Sequence, residues 1–179
     1  MALTTRLAAL KSASFDAGAL KGAGFRATDL RRAKFNLKEL KDAMFNPIDL
    51  KGAAFSAQEL KDVAFDALSL KTAFDASALR SAGFNATELK AAKFSCVQLK
   101  DAGFNATQLK EAHFDLSALR SASYNAADLK AAKFSCAQLK AAGFNAMQLK
   151  EAHFDLPTLA SMFDASALSS AASARTRGA

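Results

Sequence analysis

The chain has no tryptophan, one tyrosine, two prolines, two histidines and two cysteines in 179 residues, and each scarcity narrows its possible nature. Two cysteines, Cys96 and Cys136, are too few for a disulfide framework and fit a reducing, intracellular compartment. Long hydrophobic runs are missing as well. A Lys or Arg interrupts almost every stretch of ten, so no window of about eighteen uncharged apolar residues exists, which excludes a membrane span. The opening "MALTTRLAAL" lacks the charged start and apolar core of a secretory signal, although an organellar presequence removed ahead of Met1 would leave the same sequence. No nucleophile flanked by a base and no glycine-rich phosphate loop can be found. These gaps argue against an enzyme, and nothing in the sequence asks for a cofactor.

What is present is narrow in kind. Hydrophobic residues make up 51% of the chain, mostly Ala, Leu and fifteen Phe, a bias that belongs to a repeat and not to an assorted core. Every aromatic falls in one register, from Phe15 to Phe163, and leucines keep a second register five residues away, from Leu10 to Leu168. The step is ten residues except at "LKTAFDASA" (Leu70) and "LASMFDASA" (Leu159), which each lack one residue just before the Phe. A longer duplication lies on top, since Leu79–Ala118 matches Leu119–Thr158 at 31 of 40 positions.

A period of ten suits a short helix in each unit. The residue after the aromatic is Asp, Asn or Ser in 15 of 16 units, the exception being Arg26, and these are the side chains that cap helix N-termini. Glu, Gln or Asp follows three positions later in most units, as in "NATE" at Asn85, which completes a capping box. Pro47 follows Asn46 at the first helical position, where proline loses no hydrogen bond. The residue before each aromatic is Gly, Lys, His, Ser, Ala or Met and never β-branched, as a left-handed helix-ending conformation requires. One Phe would then close one helix and staple the next.

The segment "ADLKAAKFSCAQLKAAGFNA" from Ala127 also resembles the A-(D/N)-L-x-x pattern of pentapeptide-repeat proteins, which implies a right-handed β-helix. Against that stand Lys38, Gln58, Ile48, Met147 and Pro157 at places that a narrow coil would keep small. The acidic and amide residues sit after Phe, where capping wants them, so the helical reading leads and the β-helix remains its alternative. Residues 10–168 are similar to degenerate "LKxAGFSAxE" decapeptide arrays of algal and protist proteins, a resemblance that implies no established activity.

A helix of seven or eight residues is far below the length of about 12–15 that is marginally stable in water, so the units must stack. The expected architecture is an all-α solenoid of about sixteen repeats from Leu10 to Ala172, with residues 1–9 as an N-terminal cap and 173–179 as a mobile basic tail. Lys or Arg follows Leu in 15 of 17 units, a basic ladder whose exposed rungs would include Lys90, Lys100, Lys110, Lys130, Lys140 and Lys150. The plain reading of the ladder is solvation of an apolar array. Its functional reading is an electrostatic surface for nucleic acid, an anionic membrane or an acidic partner. The aromatics that would stack on bases all belong to the repeat register, which favours a protein partner. His113 and His153, like Cys96 and Cys136, are copies within the duplication and lack zinc-site spacing. The sequence therefore points to a non-enzymatic scaffold or accessory subunit, with a nucleic-acid-binding module as the alternative.

Overall fold

The computed structural model describes residues 3–164 and Leu168 and contains, among them, sixteen helices and no strand. The basic tail expected over 173–179 lies outside the described residues. Two compact units divide between Lys93 and Phe94. The first holds α1 (Leu3–Ser12), α2 (Ala17–Gly22), α3 (Ala27–Arg32), α4 (Leu37–Asp42), α5 (Pro47–Gly52), α6 (Ala57–Asp62), α7 (Ala67–Leu70), α8 (Ala76–Ser81) and α9 (Ala86–Ala91). The second holds α10 (Cys96–Asp101), α11 (Ala106–Glu111), α12 (Leu116–Ser121), α13 (Ala126–Ala131), α14 (Cys136–Ala141), α15 (Ala146–Glu151) and α16 (Leu156–Met162). The β-helix alternative does not hold. Lys38 and Gln58, and the apolar Ile48, stand exposed on helices instead of crowding a coil interior. The N-terminal stretch is itself helical, since α1 runs from Leu3 straight into the first Leu–Lys pair.

Each six-residue helix is closed at both ends by its own sequence. In α4, Asn36 Oδ1 accepts the Glu39 N–H at 2.8 Å while Glu39 Oε2 accepts the Asn36 N–H at 2.6 Å, a reciprocal capping box. The same box recurs at Ser56, Asn85, Ser95, Asn105, Asn125, Ser135 and Asn145. At the other end of α2, the Gly24 N–H bonds the Lys21 carbonyl at 2.9 Å and the Phe25 N–H bonds the Leu20 carbonyl at 3.1 Å. That pair of bonds is a Schellman closure, and it needs a left-handed residue between helix and aromatic. Gly24 supplies it at φ 89°, and Lys34, Met44, His113, Lys133 and His153 adopt the same region without glycine's freedom. A left-handed non-glycine residue costs roughly 1–2 kcal/mol, which explains why no β-branched side chain occupies the position. Each aromatic thus ends one helix through its N–H and precedes the cap of the next.

The nine-residue steps delete this left-handed residue. After α7 the Phe74 N–H bonds the Leu70 carbonyl, and after α16 the Phe163 N–H bonds Leu159, both at 2.9 Å and one residue nearer than elsewhere. The turn tightens and the strained position vanishes.

Helices pack on their second neighbours. In the first unit α1 lies on α3 and α3 on α5, α7 on α9, α2 on α4, and α6 on α8. In the second unit α11 lies on α13 and α13 on α15, with α10 on α12 and α14 on α16. Two repeats therefore make one superhelical turn, and odd and even helices form two columns within each unit. Leu30, Leu50, Leu70, Leu89, Leu109, Leu129 and Leu149 are fully buried at 0% exposure, and so are their even-column counterparts from Leu40 to Leu159. Fully burying one such side chain contributes about 1.5–3 kcal/mol. The six-residue helices gain from this spine what they lack in length.

Candidate partner-binding surface

The ladder bases start at the last turn of each helix, directly after the buried Leu. That placement carries them over the edge of the core toward the next helix of the same column. Lys21 Nζ donates to the Met44 carbonyl at 2.7 Å and the Ala43 carbonyl at 3.2 Å, and it sits 4.9 Å from the centre of the Phe45 ring. In the second unit Lys110 meets Ala132 O at 2.8 Å, Lys133 O at 3.0 Å and the Phe134 ring at 4.3 Å. Lys130 meets His153 O at 2.6 Å and the Phe154 ring at 4.8 Å, and Lys100 meets Ser123 O at 2.6 Å and the Tyr124 ring at 5.0 Å. Lys140 donates to Met162 O and lies 4.8 Å from the Phe163 ring.

The chemistry is consistent from rung to rung. The last carbonyls of a helix lack intrahelical partners and carry the negative end of its dipole, so an ammonium is the natural cap. The ring beside those carbonyls adds a cation–π contact. Each of these bases therefore fastens its helix to the helix one superhelical turn further on. The candidate residues Lys90, Lys100, Lys110, Lys130 and Lys150 are half-buried, and Lys140 is exposed. Sequence reasoning missed this fastening role because a strictly periodic pattern does not say which helix a lysine reaches.

At the first rung Lys11 adds a carboxylate, meeting Glu39 Oε2 at 2.8 Å. Burial pushes the Glu39 carboxyl up, but the bonds from Lys11 and from the Asn36 N–H outweigh it and hold the group below its usual range. Tyr124, standing where other repeats have Phe, buries its ring and donates its hydroxyl to the Phe104 carbonyl. Burial, helped by nearby acidic groups, pushes its phenol up to about 12.

Cys96 and Cys136 are free and buried at the first position of α10 and α14, which α12 separates. Burial raises both thiols, so they behave as small apolar residues. His113 and His153 sit on the left-handed junctions, and among the described residues no group of His, Cys, Asp and Glu converges to hold a metal. Among the described residues no helix is long and apolar enough to cross a membrane. The surface that varies from repeat to repeat consists of the second helical residue, the residue after the ladder base and the junction.

A family model described as decapeptide repeat region matches residues 5–73, 72–122 and 103–173. The chain belongs to the decapeptide-repeat family. No curated protein and no solved structure matches it. In this decapeptide-repeat chain the ten-residue period and the capped helix coincide, so the family's unit is a structural unit.

Proposed function

We propose that this decapeptide-repeat protein is a non-enzymatic scaffold, an intracellular accessory subunit that presents an extended surface to one or more partner proteins. The observation that supports this reading is the division of labour within each repeat. Leu, Ala, the aromatic, the cap and most of the ladder bases are engaged in the frame, while three outward positions vary, the junction within the limits of its left-handed backbone. Repeat arrays of this kind offer long binding surfaces whose specificity lies in such positions. The nucleic-acid alternative loses its main support where the ladder ammoniums are bonded to backbone carbonyls, because phosphate contact would have to displace those bonds. The test is chemical cross-linking in the native source, followed by identification of the joined peptides. Cross-links from outward residues such as Thr107 or Glu111 to a reproducible set of proteins are expected. Recovery of nucleic acid without protein cross-links would overturn the reading.

A further inference from the structure

The outer face of the odd column in the first unit carries apolar side chains at a repeated helical position. Its second helical residues are Thr28 in α3, Ile48 in α5, Leu68 in α7 and Thr87 in α9. Ile48 and Leu68 are each 58% exposed, at the same position of consecutive helices in the column. Lys51 joins those two helices, bonding Ala73 O beyond the end of α7 and lying 5.0 Å from the Phe74 ring. Beside each of the two side chains is a cleft. One of about 330 Å³ lies between α3 and α5, lined by Phe25, Arg26, Phe45, Ile48, Asp49 and Gly52. Another of about 510 Å³ lies between α7 and α9, lined by Phe65, Asp66, Leu68, Phe84, Glu88 and Ala91. The equivalent crevice of the even column, at α2 and α4, shares the aromatic and acidic lining, with Phe15, Phe35, Asp16 and Asp42, but holds the Lys11–Glu39 ion pair and has Gly18 where the odd column has Ile48 and Leu68.

The charges on the odd face are just as uneven. Arg26 lines the first cleft and replaces the capping Asp, Asn or Ser of every other repeat, and its side chain caps nothing. Arg32 is α3's counterpart of Gly52 and Ala91, which line the two clefts. Both arginines are exposed, and neither guanidinium has a partner among the described residues. Only half of the capping box is kept here, the Asp29 carboxylate accepting the Arg26 N–H at 3.3 Å, and a departure from an otherwise regular cap marks a position kept for something besides folding. Arg beside exposed aliphatic side chains and aromatic-floored clefts is the composition of a protein interface, and the unpaired guanidiniums select carboxylates at one end.

We propose that this face is a docking groove for a partner-protein segment in which acidic residues precede an apolar stretch. The carboxylates pair with Arg26 and Arg32, and the apolar side chains seat beside Ile48 and Leu68. This assignment rests on the scaffold reading and gives it a partner chemistry.

The test pans the full chain against a displayed library of random peptides of roughly a dozen residues. Enriched peptides should carry Asp or Glu ahead of Leu, Ile or Phe. Their affinity should fall about tenfold or more in Arg26→Glu/Arg32→Glu and in Ile48→Asp/Leu68→Asp, and stay unchanged in Lys38→Glu on the even column. All five substitutions are at exposed positions, so helical circular dichroism of each variant should match the parent. Enrichment of basic peptides, or of peptides whose binding survives the four odd-face substitutions, overturns the groove and leaves the scaffold reading standing. No enrichment on any surface removes both. A nucleic-acid duplex that binds at about 150 mM salt and displaces the peptides would assign the face to a different class of partner.

Discussion

Tyr124 is the chain's only tyrosine, and its hydroxyl is the single difference from the phenylalanine found in other repeats. With the phenol held at about 12, against an ordinary value near 10, the neutral form is favoured by the fold. Its contribution to stability is full below the ordinary value and is lost as pH rises toward about 12. Alkaline titration of the phenolate absorbance should therefore show a late transition coinciding with loss of helix; ionisation near pH 10 with helix intact would refute the buried bond. Lys110 makes the complementary case for a base. Replacing it by Met keeps the aliphatic stem but removes two carbonyl bonds and the contact with Phe134, which should lower stability by about 1–2 kcal/mol in urea titration. The same change at exposed Lys133 should stay within about 0.5 kcal/mol. Equal losses would return the ladder to simple solvation.

At the scale of one helix, the sequence was legible to a high degree because capping and closure are local. Asn85 with Glu88, Pro47 after Asn46 and the small or flexible junction residues each announced a boundary that the structure keeps. Packing was not legible in the same way. Nothing in a uniform ten-residue period distinguishes a helix that packs on its neighbour from one that packs on its second neighbour, so the columns and the reach of Lys110 came only from the structure. Arg26 lies between these cases. It was visible as the one exception to the cap rule, but its place in the α3–α5 cleft needed the fold. Restoring a cap with Arg26→Asn should stabilise the protein by about 1 kcal/mol, since the N-cap side chain would again accept an N–H of the first turn. The same variant should bind the enriched peptides more weakly. A gain in stability together with loss of binding is the expected combination, measured by urea midpoint and by peptide titration; no gain would mean that Asp29 already completes the helix start.

For the molecule as a whole, the two-repeat turn makes parity matter. Every repeat carries the same cap, spine and base, so the frame accepts any number of units, but each added or lost unit moves all later ones to the opposite column. Removing residues 57–66 should leave helicity per residue unchanged while carrying Leu68 away from the column of Ile48. Peptide binding to the groove should then disappear from a protein that still folds, and binding that persists would show that the stripe is not read as one surface. The same arithmetic bears on how such a chain can grow. The internal duplication of Leu79–Ala118 spans four repeats, an even number, and His113 and His153 accordingly follow α11 and α15 of one column. Copying by even multiples extends a surface in phase, whereas odd copying interleaves two surfaces and erases both.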